Sequence, residues 1–273
     1  MYLEYYGLRE WPFNVTSDPS FLYLSRKHQE AFSHLLFGIQ QRKGFLEITG
    51  EIGTGKTTVC RALLQQLDSS TKTAFILNPT YSASELLHAI AVDFGALKTQ
   101  GKGSASIQDT LNEFLLDQLA LGNNVVLIID EAQDLKPAVL EQIRLLSNLE
   151  TDKEKLIQIV LVGQPELRDK LASAQLRQLR QRIAVRYHIL PLDPDEVTEY
   201  VEHRLNVAGS NGEIQFTPEG LGAVYNYSRG IPRLINMVCD KALLAGYVDE
   251  TWTLDRPLIV RCIQELEEGV AVA

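Results

Sequence analysis

Short apolar runs separated by polar turns dominate the pattern of this chain. Residues 125–129, Val-Val-Leu-Ile-Ile, contain no polar position, and mostly apolar runs occupy 45–49, 73–77 and 156–162. A branched-aliphatic run without alternation is typical of a parallel strand that is covered on both faces. Together with residues 184–190, these runs predict five strands of one parallel sheet.

Helical spacing fills the intervals between the strands. Ala31, Leu35 and Ile39 recur at four-residue intervals, and Ser82 precedes Glu85 with the spacing of a capping box. Residues 101–104, Gly-Lys-Gly-Ser, predict a connector. The predicted helices cover residues 27–41, 56–67, 82–94, 107–121 and 137–149, and a basic helical stretch continues to 182.

The pattern changes after residue 191. Asp193-Pro194-Asp195-Glu196 combines an N-cap, a proline at the first helical position and a glutamate in the first turn. Only helical signals follow, over residues 194–207, from 217 onward, and over 232–247 and 255–267. We therefore predict an α/β domain over residues 1–191 and a small all-α domain over 192–273. Residues 1–27 show neither a helical nor a strand period. They predict an irregular segment, rich in aromatic residues, that lies over a core.

Composition narrows the classes of function. The formal net charge of -9 argues against a large nucleic-acid footprint, although a local basic strip could still exist. Cys60, Cys239 and Cys262 lie far apart and predict thiols in a reducing compartment. Neither a signal peptide nor an apolar run of about 18 residues is present, so the expected location is the cytoplasm.

A glycine-rich motif lies between the first strand and the next helix. Its sequence is Gly50-Glu51-Ile52-Gly53-Thr54-Gly55-Lys56-Thr57, followed by Thr58. Glycines let a backbone wrap closely around phosphate oxygens, and a lysine and a threonine at these offsets suit the phosphates and Mg²⁺. A turn that binds nothing would account for the glycines, but it would leave Lys56 and Thr57 unexplained. The motif predicts a nucleoside triphosphate site.

Polar residues follow two other predicted strands. Asp130 and Glu131 come directly after 125–129, and Gln164 comes after 156–162. In open α/β sheets, ligands bind at the carboxyl ends of the strands. We expect Asp130 to serve Mg²⁺, Glu131 to polarise an attacking water, and Gln164 to reach the γ-phosphate or that water. The alternatives are acids that merely end a strand and an amide that belongs to an ordinary turn.

Arginines cluster before and inside the fifth predicted strand, and another opens a later helix. Phosphoryl transfer gains much from an arginine supplied by a neighbouring subunit, so one or two of the cluster are candidates for that role. A solvated helix face or a small nucleic-acid patch would explain the rest. Arg233, in Gly230-Ile231-Pro232-Arg233, is a candidate to fold over the γ-phosphate. The clustered residues are Arg177, Arg180, Arg182 and Arg186.

With these motifs in place, the chain resembles the AAA+ ATPases and, within them, the ExeA/GspA group of secretion ATPases. The resemblance extends over essentially the whole chain. It implies a P-loop NTPase core, with a five-stranded parallel sheet flanked by helices, and a helical lid. The segments that carry it are 5–8, 12–13, 18–25, 28–31, 50–58, 163–167, 176–183 and 230–236.

The resemblance also implies roles for individual residues. Gln164 is similar in position to the first sensor of the family and Arg233 to the second. Arg182, with Arg180 as the second choice, is similar in position to the arginine finger. It further implies phosphate binding by residues 50–58, Mg²⁺ binding by Thr57 and Asp130, hydrolysis by Glu131, and adenine contacts near Leu8, Phe13 and Tyr23.

The resemblance implies partners as well. Relatives join a cytoplasmic ATPase to a membrane span and a periplasmic peptidoglycan-binding part, and they work with a B-type partner to assemble or place a secretin. This sequence ends without a span, so we expect either an ATPase domain at the inner face of the inner membrane or a shorter relative that serves a pilus or exopolysaccharide system. Peptidoglycan would be reached only through a further C-terminal region. We expect a homo-oligomer when ATP is bound.

Two other functions stay open. One is a DNA-acting ATPase of the transposition or replication-initiator type, which shares the core motifs, although nucleic acid is not the expected partner. The other is a nucleotide switch that scaffolds partners without hydrolysis. The oligomer number, and the arginine that acts in trans, also stay open.

Overall fold

The computed structural model describes residues 1–16, 18–77, 79–97, 106–150 and 155–271. The predicted connector at 101–104 lies outside these residues. The chain divides into two units. The sheet unit contains Lys27–Gly50 and Val59–Ile189, and the helical unit contains Met1–Arg26, Glu51–Thr58 and Leu190–Ala273.

Among its described residues, the sheet unit has five parallel strands, as predicted. The order across the sheet is β2-β3-β4-β1-β5. Every residue of β1 and β4 is buried, which explains why their sequences show little alternation. The strands are β1 (Phe45–Gly50), β2 (Thr71–Ile76), β3 (Asn124–Ile129), β4 (Gln158–Gly163) and β5 (Ile183–Ile189).

Helices connect the strands of the sheet unit largely where they are predicted. Ser82 and Glu85 form the predicted capping box. The helix predicted over 137–149 ends at Leu146, and the basic stretch breaks at Ser173, whose backbone is extended. The helices are α2 (Arg26–Gln40), α3 (Lys56–Gln66), α4 (Ala83–Asp93), α5 (Ile107–Ala120), α6 (Pro137–Leu146), α7 (Pro165–Ala172) and α8 (Arg177–Arg182), with 3-10 turns at Ala132–Asp134 and Ala174–Leu176.

The core of the sheet unit joins one face of the sheet to the helices. Leu127 and Ile129 of β3, and Leu161 of β4, are fully buried in a cluster that also includes Leu86 of α4 and Ile143 of α6. Burying such a side chain contributes about 1.5–3 kcal/mol. This packing fixes the carboxyl ends of β3 and β4, where the predicted site residues begin.

The helical unit contains the helices predicted after residue 191 and short elements that the pattern did not predict. The segment predicted as irregular contains the helix α1 (Tyr2–Tyr5) and a 3-10 turn at Pro19–Phe21. Two short strands, β6 (Gln215–Phe216) and β7 (Thr253–Leu254), pair in parallel. A two-residue strand is too short to show an alternating pattern, so its sequence gives no strand signal. The helices are α1 (Tyr2–Tyr5), α9 (Pro194–Val207), α10 (Pro218–Ser228), α11 (Pro232–Val248) and α12 (Arg256–Ala271).

The opening segment, predicted as part of the first domain, packs in the helical unit. Tyr2, Tyr6 and Phe13 are buried in one cluster with residues of α9 and α11. The guanidinium of Arg204, in α9, donates to the carbonyl oxygens of Pro12 at 2.5 Å and Asn14 at 2.9 Å. The aromatic side chains belong to this unit because they complete its apolar core. The division of the chain into domains at 191/192 stays a prediction.

Among the described residues, no helix combines the length and the apolar character that crossing a membrane requires.

Candidate functional site

Three neighbouring strands of the sheet unit end at the same edge of the sheet. At each of these ends, a candidate residue is either the last residue of the strand or the first residue after it. Gly50 is the last residue of β1, Asp130 follows β3, and Gln164 follows β4. The strands are parallel neighbours, with Ile129 in register with Leu161 and Ile48 with Val162. The structure therefore brings the first residue of the glycine-rich motif, the acidic pair and the glutamine to one edge of the sheet.

The acidic pair adopts an unusual local geometry. Asp130 is buried, and its Oδ1 accepts a hydrogen bond from the backbone N–H of Glu131 at 2.9 Å. Glu131 has a left-handed backbone, with φ 51° and ψ 38°. A non-glycine residue in this region costs of order 1 kcal/mol or more, and such strain is found most often at functional sites. The strained turn reverses the chain directly after β3.

Two side-chain amides hold the carboxylate of Glu131. Gln133 donates through Nε2 to Glu131 Oε2 at 2.6 Å, and Gln164 donates through Nε2 to the same oxygen at 3.1 Å. The structure therefore joins two of the predicted residues, Glu131 and Gln164, and adds Gln133, to which the sequence assigned no role. The only sequence signal for Gln133 is its position, two residues after Glu131.

The glycine-rich loop, residues 51–58, forms part of the helical unit. Gly53 and Gly55 have φ of +81° and +92°, which a side chain would oppose. Thr54 Oγ1 and Lys56 Nζ both donate to the carbonyl oxygen of Glu51, at 2.8 and 2.9 Å. The ammonium group therefore lies across the loop, and Thr57 and Thr58 lie in the first turn of α3. Ile52 is exposed.

These features fit a phosphate chain. The loop offers glycine backbone, a buried ammonium group that crosses it, and the N-terminus of a helix that begins at Lys56. Backbone N–H groups in such a loop and at such a helix end favour an anion.

Arg233, the second residue of α11, contacts the loop within the helical unit. Its backbone N–H donates to the carbonyl oxygen of Gly53 at 3.2 Å. A Cβ added to Gly53 would lie 2.6 Å from the Cβ of Arg233. The turn before Arg233 also needs glycine, because a Cβ on Gly230, at φ +76°, would lie 1.9 Å from the carbonyl oxygen of Leu192. The predicted motif at 230–233 thus places Arg233 against the loop backbone, and its side chain is exposed.

The arginines of α8 and β5 are exposed on the sheet unit. Arg182 donates through Nη1 to Ser147 Oγ at 3.2 Å. Arg186 lies 3.4 Å from the carboxylate of Glu47 and also donates to the carbonyl oxygen of Arg180. Arg177 is exposed on the same helix as Arg180 and Arg182. Whether Arg180 or Arg182 acts in a neighbouring subunit stays a prediction.

Glu47 is a charged residue that the sequence reasoning overlooked. It lies in the middle of β1, is 4% exposed, and lines a cleft of about 490 Å³ together with Arg168, Arg180 and Arg186. Burial raises the pKa of its carboxyl group, and the three arginines partly oppose that rise. An acid inside an otherwise apolar strand run was the available signal.

The residues predicted near adenine lie in the core of the helical unit or at its edge. Leu8 and Phe13 are buried, and the ring of Phe13 lies 6.2 Å from that of Phe216. The hydroxyl of Tyr23 donates a hydrogen bond to the carboxylate of Glu199, and its ring lies edge-on to the ring of Tyr200. Their contact with a base stays a prediction.

Comparisons with known proteins agree with the fold and the motifs. Residues 39–171 match the family described as AAA domain. Over 247 residues the chain is 50% identical to the general secretion pathway protein A of Aeromonas hydrophila, which covers 90% of this chain but only 45% of that protein. The chain therefore spans less than half of that relative.

Solved structures with similar folds include an ORC2 protein and a branch migration motor. The ORC2 protein of Aeropyrum pernix, in ADPNP–ADP complexes, has a TM-score of 0.65 at 17% identity, over 89% of this chain and 68% of that chain. The RuvB Holliday junction branch migration motor of Thermotoga maritima has a TM-score of 0.58 at 18% identity, over 89% and 69%. Identity this low shows a shared fold and nothing about function. The chain therefore has a P-loop ATPase fold of the AAA+ type, and over 90% of its length it is similar to general secretion pathway protein A.

Proposed function

We propose that this chain is a Mg-ATP-binding and ATP-hydrolysing AAA+ domain. The observation that carries the proposal is the carboxylate of Glu131, anchored by the amides of Gln133 and Gln164 at the edge of the sheet where β1 runs into the P-loop. A phosphate-binding loop alone would fit a scaffold that only binds nucleotide. A carboxylate held in place at this edge of the sheet is suited to hydrolysis.

Each residue of the proposed site has a chemical task. Lys56 supplies positive charge to the β- and γ-phosphates, and the glycine backbone of the loop accommodates their oxygens. Glu131 orients the attacking water and accepts its proton. Gln164 senses the γ-phosphate, and Arg233 couples the nucleotide state to the helical unit.

The donor set also suits a magnesium ion. The hydroxyl of Thr57 and the carboxylate of Asp130 are hard oxygen ligands, which Mg²⁺ prefers. When bound, Mg²⁺ would neutralise charge on the phosphates.

The similarity to general secretion pathway protein A supports a role in secretion. We propose that ATP turnover drives the assembly or placement of a type II secretion complex, or of a related envelope complex, at the inner membrane. A B-type protein and a secretin would be the partners. ATP binding would favour a homo-oligomer in which Arg182 or Arg180 completes a neighbour's site.

Two substitutions test the proposal because they separate binding from hydrolysis. Lys56→Ala is expected to abolish ATP binding, measured with a fluorescent ATP analogue. Glu131→Gln is expected to keep binding and to lower phosphate release by about 10²- to 10⁴-fold. Normal turnover by the Glu131→Gln protein would refute the role of Glu131. Binding without any turnover by the wild type, alone or in an enforced oligomer, would favour a non-hydrolysing switch.

One observation favours a nucleic-acid function instead. The chain is acidic as a whole, yet Arg168, Arg177, Arg180, Arg182 and Arg186 are all exposed between α7 and β5. A DNA titration at increasing salt decides between the two functions. Tight binding with a steep salt slope would support a DNA-acting ATPase, and weak binding at low salt would oppose it.

A further inference from the structure

The side chain of Gln133 makes a two-ended bridge inside the sheet unit. At one end its Nε2 donates to Glu131 Oε2 at 2.6 Å. At the other end its Oε1 accepts the backbone N–H of Gln164 at 3.1 Å. The side-chain amide of Gln164 closes the ring by donating to Glu131 Oε2 at 3.1 Å. Two of these three hydrogen bonds connect the turn after β3 with the turn after β4, and the third lies within the turn after β3.

The surroundings fix the position of Gln133. The ammonium group of Lys170, in α7, donates to the carbonyl oxygen of Gln133 and to that of Leu135 at 2.9 Å. A Cβ on Gly163 would lie 2.7 Å from Gln133 Oε1, so only glycine at the end of β4 leaves room for the bridge. Lys170 therefore fixes the backbone of Gln133, and the end of β4 leaves just enough space for its side-chain amide.

The bridge has a consequence for the carboxylate of Glu131. Both amides donate their hydrogen bonds to Oε2. Among the described residues, no group donates a hydrogen bond to Oε1. A carboxylate can accept up to about four hydrogen bonds, so Oε1 keeps its full capacity for water. The orientation of Oε1 is set by the two amides that hold Oε2.

We propose that Gln133 is a positioning residue for ATP hydrolysis that couples Gln164 to Glu131. A movement of the turn at Gln164, as the γ-phosphate arrives or leaves, is transmitted through Gln133 to the carboxylate. Gln133 touches neither phosphate nor water in this role. The inference rests on the proposed function, because it requires Glu131 to act in hydrolysis.

The test begins with two single variants. Gln133→Met keeps the length and volume of the side chain but removes both hydrogen bonds. We expect kcat to fall about 10- to 100-fold, the effect of losing a hydrogen bond to a charged group, while the Kd for ATP changes less than about twofold. Gln133→Glu places a second carboxylate against Glu131 Oε2, and its kcat should be lower still because like charges repel. The matched control is Gln142→Met, at a half-buried glutamine of α6, which should keep the wild-type kcat.

A double-mutant cycle with Gln164→Ala separates coupling from a general loss of structure. Gln164→Ala removes the amide that donates to Glu131 Oε2 but keeps the backbone N–H that donates to Gln133. If Gln133 and the amide of Gln164 hold the carboxylate of Glu131 as one unit, the double variant should lose no more kcat than the worse single variant. Independent roles would instead multiply the two losses. The same non-additivity is expected in the free energy of unfolding of the nucleotide-free protein, because the bridge exists without nucleotide.

Measuring the Glu131→Gln protein in the same assays distinguishes a failure of the positioning role of Gln133 from a failure of the proposed function. If Glu131→Gln abolishes turnover but Gln133→Met keeps the wild-type kcat, or if the losses multiply, the bridge has no positioning role and the proposed function stands. If the wild type itself shows no turnover that depends on Glu131, the proposed function fails and the inference fails with it.

Discussion

The substitution Gly53→Ala tests the contact between the P-loop and the start of α11. Gly53 has φ +81°, and an added Cβ would lie 2.6 Å from the Cβ of Arg233 and 3.3 Å from Ile231 Cγ2. The Cβ of Arg233 is attached directly to the backbone, so it can move only if the first turn of α11 moves. A rearranged side chain would not relieve the overlap.

The expected loss of folding free energy in Gly53→Ala has two parts. A left-handed backbone costs a residue with a Cβ about 1–2 kcal/mol. Overpacking against a fixed neighbour adds about 1–3 kcal/mol. Gly212 supplies the control because it has φ +87° and no atom within 4 Å of an added Cβ, so Gly212→Ala pays only the backbone part. The difference between the two variants, about 1–3 kcal/mol, measures the contact alone.

Urea unfolding of the nucleotide-free protein measures this difference. The two tryptophans, Trp11 and Trp252, both lie in the helical unit, so their fluorescence follows the unit that contains Gly53 and Gly212. We expect the midpoint for Gly53→Ala to lie about 0.5–1.5 M below that for Gly212→Ala, for an m-value near 2 kcal/mol/M. Equal midpoints would show that the loop does not pack against Arg233.

Two further predictions concern charged groups that the sequence reasoning did not single out. Because burial raises the folded-state pKa of Glu47, the native state binds more protons than the unfolded state above about pH 4.5, so stability falls as the pH rises through the folded-state pKa. Glu47→Gln should remove that decline, so the variant should be more stable than the wild type at about pH 8, by a margin that shrinks toward about pH 4.5. A difference in unfolding free energy between the two proteins that stays constant with pH in urea titrations would contradict this. Arg204→Met should take the guanidinium donor away from the carbonyl oxygens of Pro12 and Asn14 and lower the free energy of unfolding by about 2–5 kcal/mol, with faster proteolysis of the opening segment. The exposed Arg256→Met is the control, and an unchanged cleavage rate for Arg204→Met would count against the anchoring role.

The strands and most helices could be predicted because their signals are local. The run at 125–129 is apolar on both faces since β3 is covered on both faces, and the Ser82 and Glu85 capping box acts within four residues. The P-loop was equally visible, because its glycines, Lys56 and Thr57 follow one another in the chain. Polar residues at the ends of parallel strands were also predictable, since parallel strands end at the same edge of a sheet.

What could not be predicted depends on residues that are distant in sequence. The bridge from Gln133 to Gln164 requires the register of β3 against β4, and nothing local to Gln133 indicates it. The opening segment lacks a clear period because its own elements, α1 and the 3-10 turn Pro19–Phe21, are at most four residues long, and its aromatic residues pack against α9 and α11. The left-handed backbone of Glu131 likewise carries no residue-type signal, since glutamate is not enriched in that conformation.

The nucleotide that remains bound to the Glu131→Gln protein tests hydrolysis most directly. The protein would be incubated with Mg-ATP, separated from free nucleotide and denatured, and the released nucleotide would be identified by chromatography. The account predicts ATP from Glu131→Gln, ADP from the wild type, and no nucleotide from Lys56→Ala. Recovery of ADP from Glu131→Gln at the wild-type rate would contradict the assignment of Glu131 as the residue that activates water.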